Sequence, residues 1–208
     1  MNLSRLPLAL AGLALALFAI APAGARAAAR PGEPAPAFTL VDADGKERSL
    51  AEFAGKPVVL EWTNAGCPFV RKHYDSGNMQ ALQKKWTEKG VVWLTINSSA
   101  KGKQGHVDGA GAKKEMAENQ AAPTAYLLDP DGKVGKSYGA TATPHMFVID
   151  AKGQVVYAGA IDDKPSTDRA DIAGARNYVD EALTAVLAGK PVETRATRAY
   201  GCSMKYAD

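Results

Sequence analysis

Cysteine and histidine are scarce in this 208-residue sequence: two cysteines, Cys67 and Cys202, and three histidines. A scaffold stapled by many disulfides is therefore excluded, and a chain of this size buries enough core without staples. Net charge is also small, with 25 basic against 22 acidic residues leaving +3. Nothing in that balance calls for nucleic acid or a membrane surface as partner. Internal repeats are absent, aromatic residues make up only 7%, and no compact spacing of metal ligands is visible. No cofactor is implied.

What is present begins with a leader. Arg5 precedes the apolar run LPLALAGLALALFAIAPA, and Ala25-Arg26-Ala27 fits an A-x-A cleavage pattern. The run is short for a hydrocarbon layer of ~30 Å. Residues 1–27 are thus expected to be a signal peptide, sending the chain to the periplasm or outside. Cleavage removes Arg5 and Arg26 and leaves a near-neutral mature chain. Both cysteines survive it and meet an oxidising compartment, where a pair can bond.

The remainder reads as one domain, 31–191, with a tail, 192–208. Two apolar stretches around Asp44-Gly45 predict a hairpin before the main fold. VVLEWT, VVWLTIN, AYLLD, PHMFVID and Gln154 to Ile161 read as strands, the last two joined at Lys152-Gly153. Helices are expected from Cys67-Pro68 with an interruption at Ser76-Gly77-Asn78, from Lys113 to Asn119, and from Asp171 to Ala188. Ser98 to Gly111 reads as a long surface loop. Strands alternating with helices and ending in a hairpin indicate an α/β fold around a mixed sheet.

Cys67 is the chemical signal. It stands where a strand gives way to a helix, and Pro68 suits the first helical position. The first N–H groups of a helix lack partners and carry partial positive charge. A sulfur placed there can accept from the N–H of Phe69 or Val70, and its thiolate, the reactive form, is favoured. Arg71 and Lys72 are expected to add positive charge. Glu61, in an apolar strand, should have a raised pKa suited to proton transfer near neutral pH.

VVLEWTNAGCPFVRKHYDSGNMQALQ, then TPHMFVID and VVYAGAIDD, resembles the redoxin branch of the thioredoxin superfamily. More narrowly it is similar to exported, peroxiredoxin-like proteins with Cys-Pro-aromatic-Val and a C-terminal Gly-Cys-Ser-hydrophobic-Lys, here Gly201 to Lys205. The resemblance implies a thioredoxin-like fold over nearly the whole mature chain. It also implies a cis Thr143–Pro144 facing the nucleophile and pairing with substrate backbone, with Pro68 and Phe69 beside it. Glu61 matches a buried carboxylate that shuttles protons to the resolving thiol. Two departures stand out. Val70 replaces the second cysteine of Cys-x-x-Cys. Asn64 and Leu60 replace the hydroxyl residue and the proline of the peroxiredoxin pattern, which counts against efficient peroxidase chemistry.

The reading that results is an exported thiol–disulfide oxidoreductase. Cys67 attacks a disulfide-bearing or thiol protein substrate, and Cys202 or an outside thiol donor resolves the mixed disulfide. Cys202 is open to three roles at this stage: resolving thiol, structural staple or unpaired surface thiol. A thiol peroxidase acting on hydroperoxide is the alternative enzyme. A copper carrier using Cys67, Cys202, His145, Met146 and Met204, or a non-catalytic binding module, is the alternative of another class. His145 is read as a groove residue, a partner of Glu61 or a packed strand residue. His73 and His106 are read as solvated, and Asp162-Asp163 with Asp168 as a polar turn.

Overall fold

The computed structural model describes residues 28–207; the expected signal peptide lies outside them. A short hairpin comes first, β1 (Thr39–Asp42) and β2 (Glu47–Ser49), turning on Gly45 at φ 80°. Then follow β3 (Val58–Trp62), α1 (Pro68–Asp75), α2 (Asn78–Thr87), β4 (Val92–Asn97), α3 (Gly109–Glu118) and β5 (Ala125–Leu128). The chain continues through α4 (Lys133–Tyr138), β6 (Ala142–Thr143), β7 (His145–Ile149), β8 (Val155–Gly159), α5 (Tyr178–Leu187) and β9 (Cys202–Ser203).

Seven strands form one mixed sheet in the order β2-β1-β5-β4-β3-β7-β8. Its centre, β5-β4-β3, is parallel, and β7 and β8 are antiparallel. Strands β3, β4 and β7 are buried along their whole length, because helices cover both faces of the sheet. Alternation then splits the core. Val58, Leu60 and Trp62 pack with Leu94, Ile96, Phe147 and Tyr138 on one face. Val59 packs with Cys67, Val70, Tyr74, Trp86, Trp93, Met146 and Leu183 on the other, beneath α1, α2 and α5. This is the thioredoxin-like fold expected, with its hairpin extension and tail.

Several expected bounds shift. The third helix begins at Gly109, after Asp108, whose carboxylate accepts from Gly111 N–H. Asp171 lies in a 3-10 turn, Arg169–Gly174, and α5 starts only after Asn177, which caps Asp180 N–H at 2.9 Å. The six-residue α4 was not expected; buried Asp129 organises it by accepting from Val134 and Gly135 N–H. The break between α1 and α2 falls where expected, at Ser76 and Gly77.

Candidate active site

Parallel strand β3 delivers the chain to the sheet's end, and a turn over Thr63–Gly66 leads into α1. Cys67 is the residue before the helix, in extended conformation, and Pro68 takes the first helical position. Asn64 shapes the turn. Its side-chain oxygen accepts from Gly66 N–H, and its amide donates to Gln104 Oε1 at 3.0 Å and to the Gln104 carbonyl at 3.1 Å. Its hydrogen-bonding is thus spent on fastening the 99–106 loop.

Cys67 is fully buried, at 0% exposure. Its S–H donates to the carbonyl of Thr143 at 3.1 Å, and the Thr143–Pro144 bond is cis. The tail completes the enclosure. It runs beside β8 through Ala196 and crosses to pair, as β9, with β6, setting Cys202 opposite Thr143 and Ser203 opposite Ala142. The strand position beside Pro144 is therefore filled by the chain's own residues. Gly201 (φ 136°) permits the approach, since a Cβ there would lie 2.0 Å from the Thr143 carbonyl oxygen.

The two sulfurs have opposite electrostatics. Burial alone pushes the Cys67 thiol up. Hydrogen bonds from the Cys202 thiol, Val70 N–H, the Thr143 side chain and Cys202 N–H outweigh it, and the net shift is down. The Thr143 hydroxyl is buried beside this site and makes no hydrogen bond of normal geometry. Cys202 is half-buried and pushed up to about 11, by burial and then by donation to, and the negative charge of, Cys67. Of the two thiols, Cys67 is therefore the one that gives up its proton more readily.

Arg71 does not contribute as expected: its guanidinium points outward to Asp75 at 3.1 Å. Lys72 and His73 are buried instead, His73 at 0% exposure and not in solvent. Lys72 Nζ meets Asp162 Oδ2 at 3.3 Å and the Lys164 carbonyl at 2.7 Å. Asp162 is 2% exposed, so the polar-turn reading fails for it; it also accepts from the hydroxyl of Tyr200 in the tail. These groups escaped the sequence reading because RKH looks like a solvated helix face and their partners lie 90 or more residues away.

Glu61 is fully buried and accepts from Trp93 Nε1 (2.7 Å), Tyr74 hydroxyl (2.7 Å), Thr95 hydroxyl (3.1 Å) and Gln83 Nε2 (3.2 Å). Burial holds its pKa above the usual range, with those bonds opposing. Neither cysteine is among these partners. His145 does not meet Glu61 either: it pairs across β3 with Trp62 and stacks on Phe147 at 4.6 Å. Burial lowers its pKa to about 4. It lines a cleft of about 900 Å³ together with Thr141, Tyr178, Arg198, Tyr200 and Gly201. Phe69 packs edge-on against Tyr200 at 5.8 Å. Among the described residues no group of three or more His, Cys, Asp or Glu is arranged to hold a metal ion.

The chain is similar to several known proteins. It is 28% identical over 125 residues to the thiol-disulfide oxidoreductase ResA of Bacillus thuringiensis subsp. konkukian, covering 60% of this chain and 66% of ResA. It therefore spans just under two thirds of that relative's length. Chloroplastic peroxiredoxin Q of Triticum aestivum is 31% identical, with 67% of each chain covered. Among solved structures, a hypothetical protein of Sinorhizobium meliloti 1021 superposes with a TM-score of 0.73 at 27% identity, covering 87% of this chain and 97% of that one. A putative thiol:disulfide interchange protein DsbE from Chlorobium tepidum gives 0.53 at 27%, covering 63% and 85%. The Redoxin family profile matches residues 30–175; with the thioredoxin-like sheet and the cysteine at the head of α1, this chain belongs to the redoxin family.

Proposed function

We propose that this chain is an exported thiol–disulfide oxidoreductase whose working pair is Cys67 and Cys202. The observation that carries the reading is the pairing of β9 with β6, which sets Cys202 against the acidified Cys67 sulfur. Cys67 is the nucleophile. Its thiolate attacks one sulfur of a substrate disulfide, forming a mixed disulfide and expelling the other sulfur as thiolate. The Cys202 thiol, once deprotonated, attacks Cys67 Sγ and releases the second substrate thiolate. Two electrons have then passed to the substrate, and an outside thiol donor restores the pair. Cys67 is fully buried with Tyr200 and Cys202 of the tail packed against its cluster, so in this reading the tail lifts for attack and returns for resolution. With the tail lifted, Thr143 and Pro144 become free to pair with substrate, and Pro68 and Phe69 border the same opening. Glu61 serves as a buried proton store under α1 and α2. Export follows from the leader over residues 1–27.

Peroxidase chemistry is the weaker reading despite the similarity to peroxiredoxin Q, because Asn64, standing where the peroxiredoxin pattern has a hydroxyl residue, is committed to the loop. The test is turnover of an insulin disulfide with dithiothreitol as donor, alongside peptide mapping. Wild type turns over, Cys67→Ser does not, and reduced Cys202→Ser mixed with insulin in the absence of dithiothreitol accumulates a mixed disulfide on Cys67. Turnover retained by Cys67→Ser refutes the assignment.

A further inference from the structure

Tyr200 is the joint between the tail and the helix that carries Cys67. Its ring packs against Phe69, two residues after Cys67, and lies under the Lys72 ammonium at 5.7 Å. Its hydroxyl donates to Asp162 Oδ1 and lies 3.4 Å from His73 Nε2. The chain of donors is ordered. The Asn78 amide donates to His73 Nδ1 at 2.9 Å, which places the imidazole proton on Nε2, facing the Tyr200 oxygen. Burial lowers the His73 pKa to about 4, with Asp162 opposing and Lys72 assisting, so the ring stays neutral. Asp162 is held in turn by Lys72. A buried ion pair is a poor investment in stability alone. This one sits one to two helical turns from Cys67 and ends on a residue two positions before Cys202.

We infer that Lys72, His73 and Asp162 are positioning residues for the Cys67–Cys202 pair, acting through Tyr200: they clamp its phenol to α1 and thereby hold the Cys202 thiol on the Cys67 sulfur. Nothing else on α1 reaches the tail through a polar contact among the described residues. The clamp thus governs how often the tail is docked, and with it the effective concentration of one thiol at the other. The inference rests on the reading that these two cysteines work together, and it extends that reading to groups that touch neither sulfur nor substrate.

A double-mutant cycle tests it. Tyr200→Phe keeps the ring against Phe69 and removes the hydroxyl. Two quantities are read on the full mature chain: the equilibrium of the Cys67–Cys202 disulfide against a glutathione redox buffer, and the pH midpoint of Cys67 alkylation in reduced protein. In Tyr200→Phe the disulfide equilibrium constant should fall on the order of tenfold, the worth of a hydrogen bond to a charged acceptor, and the Cys67 midpoint should rise. In a Cys202→Ala background the same substitution should leave the midpoint where it is. Removing both charges together, Lys72→Met with Asp162→Asn, should reproduce the Tyr200→Phe effects without leaving a lone buried ion. An unchanged disulfide equilibrium in Tyr200→Phe overturns the inference. So does a midpoint shift that persists without Cys202, since Tyr200 would then act on Cys67 by another route. If wild type forms no Cys67–Cys202 disulfide but the midpoint shift is present and depends on Cys202, the cycling pair is refuted while the positioning role stands.

Discussion

Two buried carboxyl groups lie on the side of the sheet that carries α1, and they are built differently. Glu61 receives four neutral donors and no cation. Asp162 receives a lysine ammonium and a tyrosine hydroxyl. With only dipoles around it, burial dominates at Glu61 and the carboxyl holds its proton above the ordinary range. With a cation against it, Asp162 is half of an ion pair whose other half is equally buried. One carboxyl is therefore solvated by dipoles alone, and the other by a cation and a hydroxyl.

The largest effect that separates them should come from Asp162→Ala. It strands the Lys72 ammonium in the core, and breaking a buried pair costs about 3–5 kcal/mol, measurable as a lower urea midpoint. Tyr74→Phe should cost less, about 1–3 kcal/mol, because it removes one of four donors to Glu61. If Tyr74→Phe proved as damaging as Asp162→Ala, the contrast between dipolar and ionic solvation would be wrong.

Titration sharpens the same contrast. A carboxyl whose pKa is raised by folding stays protonated in the native chain after the unfolded chain has released its proton at about 4.5. Glu61 therefore lowers stability as pH climbs from that value towards its folded pKa, and its effect is constant above it. Glu61→Gln should flatten this fall in urea midpoints measured from pH 4.5 upward. A slope identical to wild type would show that Glu61 is not the group that titrates. The smallest effect belongs to Arg71→Ala. Its surface pair with Asp75 is worth no more than about 0.5 kcal/mol, and the Cys67 alkylation midpoint should not move.

The sequence revealed the strands most readily, since VVLEWT, VVWLTIN and PHMFVID are apolar runs that only a covered sheet accommodates. Cys67 was legible because strand, glycine, cysteine and proline occur in that order within one short stretch. Tyr200, Met204 and Tyr206 give the tail apolar bulk that favours docking over a solvated path, and β9 is the form the docking takes. Lys72, His73 and Asp162 were illegible for a physical reason. A charged side chain signals burial only through its partner, and Asp162 is 90 residues from Lys72 with Tyr200 farther still. The α5 start was misplaced because Ile172 keeps a helical phase with the residues that follow, while Asn177 resets the helix through its side chain.

Gly201 gives this architecture a one-carbon control point. A Cβ at Gly201 would fall 2.0 Å from the Thr143 carbonyl oxygen, which leaves no room for a methyl group, and its φ of 136° resists one as well. Gly201→Ala would therefore part the two short strands while leaving both thiols, the helix start and the sheet chemically intact. On the proposed pairing of Cys67 with Cys202, that single change would convert a two-thiol device into a one-thiol trap that holds on to whichever molecule the open sulfur captures.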